Sequence, residues 1–587
     1  MRETDGVRVE IVPRRLGLVV PRGTELLDLL SQYRLVVDPC GGHGLCRRCR
    51  VRWVSVPPRP TKREADRLTY AEIADGWRLA CQHALTEDAR IWVAPLQSSV
   101  DWKTCGQIPL AGGPRVVERR VFAARTASGP AARSWADELS ATAGTELHWS
   151  RTALAEMAGV RAATRQGSRI ALYTSKNEVL GACPANESPA PHGLAVDIGT
   201  SVIGLYLVDL EAAGIVASES LLNPQAAYGA DVLSRIAYVQ SHGPQGQDLL
   251  GRLLRQELDA AIGHLAASAG INRRAVFHLR VVGNSTMLHL FFGVDPRCLG
   301  GAPFEPVFSG IVRCSAPDVG LTLAEGARVD SLPGVSGFVG ADAVAGALCA
   351  RLGDVGETAL LMDVGTNAEL VLAHKGRLFA CSAAAGPALE STVFGHGAGL
   401  GIDPDDHEEN SGEPASPSSG LDRGGVARGS ALLDLLPSLL DSGAVREDGR
   451  IRGGCGVLSQ RVIRQLQLGI AALRSGVEHL LAATDVRAQD VSRVVVSGSF
   501  GVRLDPRTMV RIGLLPSEWR SRVQALENAA GLGAAQTLVD ETLMDKAVAL
   551  AAAAHSVPLG GSEEYVQRFV RAMAFPPPNA GEPGKEI

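Results

Sequence analysis

Two short stretches constrain this chain more than anything else in it. Residues 194–210 read "LAVDIGTSVIGLYLVDL" and residues 360–372 read "LLMDVGTNAELVL". Each is an apolar run ending in an aspartate, a tight glycine turn bearing a hydroxyl, and an apolar return. The first offers Asp197, Gly199, Thr200 and Ser201, the second Asp363, Gly365, Thr366 and Asn367. Such a strand–turn–strand aims backbone N–H groups and a hydroxyl at phosphate oxygens, while its aspartate faces a metal ion. A single Asp-x-Gly-Thr is common among hairpins. Two, each between apolar strands and a domain's length apart, are a much stronger sign of phosphate binding.

Two further turns extend the pattern. "RVVVSGSFGVRLD" at 493–505 is an apolar strand running into Gly498, Ser499 and Gly501, where missing Cβ atoms let a flat base lie against backbone. "SAAAGPALES" at 382–391 places Gly386 and Glu390 soon after the second hairpin. Taken singly, each is also explained as a βα turn of a packed domain. "VVGNSTMLHLFFG" at 281–293 reads as strand, turn and helix, with Asn284, Ser285 and Thr286 either lining a cleft or capping that helix. In residues 459–483 an apolar face of Val462, Leu466, Ile470, Leu473, Val477 and Leu480 predicts core packing.

The other informative feature lies near the N-terminus. In "DPCGGHGLCRRCRVRW" (38–53) Cys40, Cys46 and Cys49 share a glycine-bearing loop, and Cys81 follows alone. Three thiols in one loop with a distant fourth match the plant-type 2Fe–2S arrangement, except that the first gap has five residues, as in adrenodoxin-like ferredoxins, rather than four. Glycines in the loop let N–H groups turn toward sulfur. Zinc is the alternative, because C-x2-C is also a zinc knuckle, although a zinc site usually supplies two short pairs. A Rieske centre needs two histidines, and His43 has no matching partner. The remaining cysteines (Cys105, Cys183, Cys298, Cys314, Cys349, Cys381, Cys455) are scattered as small buried hydrophobes.

Patterning divides the chain. Residues 1–96 read as a small α+β unit: a hairpin (7–12 with 16–20), a leucine-striped helix with Thr24 as N-cap, the cysteine loop and further strands. Residues 97–115 read as a linker. Residues 116–190 read as a middle α+β domain ending in a second, Pro-rich linker at 181–193. Strands and helices then alternate over 191–555, interrupted by an acidic loop at 403–425. Residues 556–587 form a C-terminal extension whose end, "FPPPNAGEPGKEI", reads as disordered.

Composition excludes several classes of function. A formal charge of −5 with no basic run argues against nucleic acid as a partner. No apolar stretch approaches the ~20 residues of a membrane span, and the N-terminus lacks a signal-like apolar segment, so a cytoplasmic protein without membrane contact is expected. Eleven cysteines in 587 residues are too few for a disulfide scaffold.

Two phosphate hairpins followed by a glycine strand end resemble the acetate kinase, sugar kinase, Hsp70 and actin superfamily, whose duplicated domain clamps Mg–ATP. With the cysteine unit in front, the chain resembles the reductive activators of corrinoid proteins. That resemblance also rests on "LNPQAAYGADVLSRI" (222–236), "APFEP" (302–306), "GFVGADAVAG" (337–346), "AAGPALE", "SGSFG" and "IGLLP" (512–516). It implies a multidomain α+β and α/β protein: an N-terminal β-grasp ferredoxin-like domain, the middle domain and an actin-like ATPase. It implies a 2Fe–2S cluster on Cys40, Cys46, Cys49 and Cys81, and Mg2+ at the catalytic Asp197 and Asp363. ATP would lie on Gly199, Thr200, Ser201, Gly365, Thr366, Asn367, Gly386, Glu390, Gly498, Ser499 and Gly501. The implied activity is ATP-dependent one-electron reduction of a corrinoid protein of a methyltransferase system from Co(II) to Co(I), supplied by an upstream low-potential donor, with a homodimer possible. A plant-type cluster at roughly −400 mV lies above that cobalt couple, so transfer runs uphill and needs ATP. The residues leave open an ATP-driven donor to another enzyme, a redox-sensing nucleotide-binding protein and a small-molecule kinase. Leu468 and Gly469 stand where the family commonly has a lysine, and the acidic loop replaces a compact glycine-rich turn.

Overall fold

The computed structural model describes residues 6–12, 16–32, 49–68, 70–93, 108–123, 134–163, 169–353, 356–386, 429–452, 460–498 and 504–577. The acidic loop at 403–425 and the last ten residues lie outside that set.

The C-terminal region builds one plan twice. In its first half His192–Ile198 pairs antiparallel with Val202–Asp209, and that strand with Gly214–Leu222. Val276–Gly283 adds parallel on the other side of the first strand, with Arg328–Ser331 parallel beyond it. The second half repeats this with Ala359–Asp363, Ala368–His374, Arg377–Ala383, Arg493–Ser497 and Val523–Ala525. Val276–Gly283 is buried at every position, as the centre of a sheet covered on both faces must be. Both hairpins therefore project from central strands, with Asp197 and Asp363 one residue or less from their ends.

Two helices of small residues join the halves. Ala341–Cys349 precedes the second sheet. Ala529–Val539 follows strand Val523–Ala525, yet Ala530, Ala534, Ala535 and Leu538 return to the core of the first half. Their contact is close enough that a Cβ on Gly533 would lie 2.0 Å from the Ala345 carbonyl oxygen. In helix Gln460–Ala483 all six residues of the expected apolar face are buried.

The N-terminal unit is a five-stranded mixed sheet in which Gly6–Val12 lies parallel to Ala89–Trp92, so the first and last strands meet at its centre. The expected hairpin of Gly6–Val12 with Leu16–Pro21 forms. Thr24 is not the helix cap expected of it. It pairs with Leu85 in a short ladder, its hydroxyl donates to Pro21 O, and the helix starts at Leu26.

The middle unit is a four-stranded sheet of His148–Trp149, Glu178–Pro184, Arg169–Ser175 and Glu118–Ala123. Stacking of Tyr173 on Phe277 (ring centroids 4.1 Å apart) and an Arg328–Glu178 ion pair seat it on the first half.

The described parts of two stretches expected to be linkers are built into sheets. Ile108–Pro109 pairs with Gly214–Leu222, and Gly113 and Val116 donate to Val539 O and Leu538 O. Glu178–Pro184 fills an inner strand position where Pro and small residues suggested a connector, and His192 already begins the next strand. The C-terminal extension also docks: Phe575 is buried and its N–H donates to Glu447 O. Among the described residues no helix is long and apolar enough to cross a membrane.

Candidate functional site

The two hairpin turns face each other across a cleft. Its walls include Asp197, Gly199, Thr200 and Ser201 from one side and Asp363, Gly365, Thr366, Asn367 and Gly498 from the other. The turns touch directly, because Ser201 Oγ and Thr366 Oγ1 are 2.7 Å apart. Each turn is braced from behind. Asn223 donates from Nδ2 to Gly199 O (2.9 Å), and the buried Arg235 guanidinium donates to Thr200 O. Asn284 resolves its two readings by doing both: Oδ1 accepts from Met287 N (3.0 Å) as the helix cap, and Nδ2 donates to Thr200 Oγ1 (3.1 Å). On the second side Gly386 N donates to Thr366 O (2.8 Å). At Gly498 (φ 90°) a Cβ would lie 2.5 Å from Val364 O, so only glycine fits this strand end.

Acidity dominates the floor. Asp342 and Glu369, which the sequence reading did not single out, join Asp197 and Asp363 in the lining. Register explains Glu369, which sits directly opposite Asp363 on the neighbouring strand. Asp342 occupies the first turn of Ala341–Cys349, inside the quoted "GFVGADAVAG".

Burial raises all four carboxyls, and mutual repulsion adds to it at three of them. Asp197 is pushed up to about 8, by desolvation and then by Asp363 and Asp342, against a hydrogen bond from Asn528. Desolvation and then Asp363 push Asp342 up to about 7, against the Ala343 N–H. Asp363 rises to about 6 through desolvation, opposed by Ser497. Glu369 is raised by desolvation, then by Asp342 and Asp363.

Such a nest is costly without a cation and suits one. Among the described residues no three His, Cys, Asp or Glu side chains converge into a metal cage. Mg2+ keeps several waters and is bound through one or two carboxylates plus substrate phosphates, a donor set that paired carboxylates can supply. No Lys, Arg or His stands among the described lining residues.

Of the remaining expected contacts, Glu390, Ser499 and Gly501 lie outside the described residues, as do Cys40 and Cys46. The other two cysteines lie side by side. Cys49 Sγ and Cys81 Sγ are 3.3 Å apart, well beyond a disulfide at about 2.05 Å. Two sulfurs at ~2.3 Å on one tetrahedral metal would be separated by about 3.8 Å, so little movement is needed. Cys49 is fully buried beside Leu79 and Ala80, and Gln82 Nε2 donates to Cys81 Sγ at 3.4 Å, a contact of the kind that tunes cluster potential. Close by, the buried Glu64 carboxylate accepts from Leu79 N (2.6 Å) and faces His83 Nε2, which pins the strand that leads into Cys81.

Comparison with known proteins follows this division. Three family models match: the 2Fe–2S iron-sulfur cluster binding domain at 9–86, the RACo middle region at 192–354, and the C-terminal domain of RACo, the ASKHA domain, at 357–456 and 453–582. Corrinoid activation enzyme RamQ of Eubacterium limosum is 26% identical over 454 residues, covering 69% of this chain and 74% of that protein. The Co(II) methylated amine-specific corrinoid protein reductase of Methanosarcina barkeri is 22% identical over 399 residues, covering 61% and 72%. In fold, the chain superposes on a solved reductive activator for corrinoid, iron-sulfur protein with a TM-score of 0.69 at 24% identity, over 97% of this chain and 98% of that one.

Proposed function

We propose that this chain, a relative of the reductive activators of corrinoid proteins, restores a corrinoid protein to its reduced state at the expense of ATP. The observation that carries this reading is the presence in one chain of a paired-cysteine site and an acidic, two-hairpin cleft: Cys49 and Cys81 at 3.3 Å, and Ser201 and Thr366 at 2.7 Å. In this reading residues 1–96 carry the electron, 116–190 act as adaptor, and 191–555 bind nucleotide, with 556–587 as an extension.

The roles follow from the chemistry of each residue. Cys40, Cys46, Cys49 and Cys81 hold the 2Fe–2S cluster, whose contribution is one electron that converts Co(II) of the partner to Co(I). Asp197 and Asp363 orient hydrated Mg2+. Backbone N–H groups of Gly199–Ser201 and Gly365–Asn367, with the Thr200 and Thr366 hydroxyls, take the phosphates. This reading assigns Gly498, Ser499 and Gly501 to the base, and Gly386 and Glu390 to further nucleotide contacts. Every ~59 mV of one-electron deficit costs tenfold in equilibrium, and closing the cleft on ATP offsets this by favouring the productive complex with the partner. The same reading places the protein in the cytoplasm, where a low-potential donor reloads it.

An anaerobic optical assay tests this. The reduced protein is mixed with a cob(II)alamin-loaded methyltransferase subunit from the same genome, with and without Mg–ATP, while the cobalt spectrum is followed. Co(I) forming only with ATP, and not with Cys46→Ser or Asp363→Ala, is the expected result. ATP consumption without Co(I) from any such subunit would move the electron to a different acceptor.

A further inference from the structure

Asn528 is a helix N-cap. It follows strand Val523–Ala525 of the second sheet and opens helix Ala529–Val539, and its Oδ1 accepts from Gly531 N at 2.6 Å. That bond fixes the amide's orientation and leaves Nδ2 to donate to Asp197 Oδ2 at 2.8 Å. The neighbouring backbone is cut to fit this contact. A Cβ on Gly204 would lie 3.2 Å from Asn528 Nδ2, and one on Gly531 would lie 2.4 Å from Tyr206 Cε2. One residue further on, Ala529 N donates to Ser497 Oγ at 2.9 Å, and the Ser497 hydroxyl in turn bonds the Asp363 carboxylate. Both hairpin aspartates, from opposite halves of the molecule, are thus tied to the first two residues of one helix.

We infer that Asn528 is a positioning residue for the Mg–nucleotide site: its amide N–H holds one oxygen of Asp197 and turns the other toward the cleft, in register with Asp363. The inference rests on the nucleotide-binding reading of the cleft. Capping and positioning separate cleanly at this residue. Ser and Asp cap helices about as well as Asn. Serine is too short to reach Asp197, and aspartate presents an acceptor where Asp197 needs a donor.

The test uses the full chain with its cluster, titrated with mant-ATP at a series of Mg2+ concentrations, beside a thermal melt of each protein. Asn528→Ser and Asn528→Asp are expected to melt near the wild type, to bind mant-ATP at least tenfold more weakly, and to need several-fold more Mg2+ for half-saturation. Asp363→Ala serves as the reference for a lost carboxylate. Binding by Asn528→Ser within twofold of wild type, with unchanged Mg2+ dependence, would reduce Asn528 to a cap and overturn the inference alone. Absence of Mg-dependent mant-ATP binding by the wild type would remove the reading of the cleft, and the inference with it.

Discussion

Ser201 Oγ and Thr366 Oγ1 lie 2.7 Å apart and join the turns of two hairpins that are 165 residues apart in the chain. Both residues line the cleft, and on the proposed nucleotide-binding reading a phosphate would engage or separate their hydroxyls. A hydrogen bond to a charged group is worth about 1.5–3 kcal/mol, roughly tenfold or more in affinity. Ser201→Ala and Thr366→Val are each expected to weaken Mg-dependent mant-ATP binding by about that factor. Groups in direct contact seldom act independently, so the double variant should lose less than the product of the two. A strictly multiplicative loss would mean that the hydroxyls never act on one phosphate.

The acid nest makes the benefit of Mg–ATP depend on pH. Asp197, Asp342 and Asp363 are pushed up to about 8, 7 and 6, largely by burial. A carboxyl whose pKa is raised on folding contributes stability that is complete below its unfolded value near 4 and is lost as pH rises through the folded value. The cation-free protein therefore loses stability between pH 4 and 8, and a bound cation, which favours the ionised forms, recovers it. The rise in melting temperature produced by Mg–ATP is expected to be larger at pH 8 than at pH 6. An equal or larger rise at pH 6 would show that these carboxylates do not face the metal.

Much of this site was legible because its parts are local. Asp197 and Asp363 share a turn with their glycines and hydroxyls, and no tertiary context is needed to see what such a turn presents. Glu369 was not legible: it reads as the polar position of an apolar strand, and only antiparallel register puts it opposite Asp363. Asp342 and Asn528 look like first-turn and cap residues, as they are, and the second bond of Asn528 crosses 331 residues. Residues 181–193 misled through composition, since their prolines suggest a connector while Ala182 and Cys183 pair with Leu172 and Ala171 inside a sheet. Thr24 was drawn into a two-residue ladder with Leu85 that no local signal announces.

The cysteines differ sharply in what their removal should do. Cys81→Ser and Cys49→Ser each remove one of two sulfurs already 3.3 Å apart, and are expected to abolish the visible absorption and bound iron of the purified protein. Cys381 is buried like Cys49, but desolvation holds its thiol up at about 12, and it sits in the core of the second half. Cys381→Ser should retain full iron content. Iron retained in Cys81→Ser would exclude this sulfur as a ligand.

Gly533 tests how rigidly the two halves are joined. Replacing glycine by alanine inside a helix ordinarily stabilises by about 1 kcal/mol. Gly159 in helix Arg151–Ala163 meets that expectation, because a Cβ there would have nothing within 4 Å, and Gly159→Ala should raise the melting temperature slightly. At Gly533 the same methyl would lie 2.0 Å from the Ala345 carbonyl oxygen, which is backbone of the facing helix and cannot swing aside. Overpacking typically costs about 1–3 kcal/mol, and more where backbone must move, so it outweighs the helix gain. Gly533→Ala is expected to lower the melting temperature. Because the cap Asn528 and first residue Ala529 of this helix carry the contacts to Asp197 and Ser497, the shift should weaken Mg-dependent mant-ATP binding as well. A higher melting temperature with unchanged binding would mean that the helices part freely, and that their close contact does not set the geometry of the cleft.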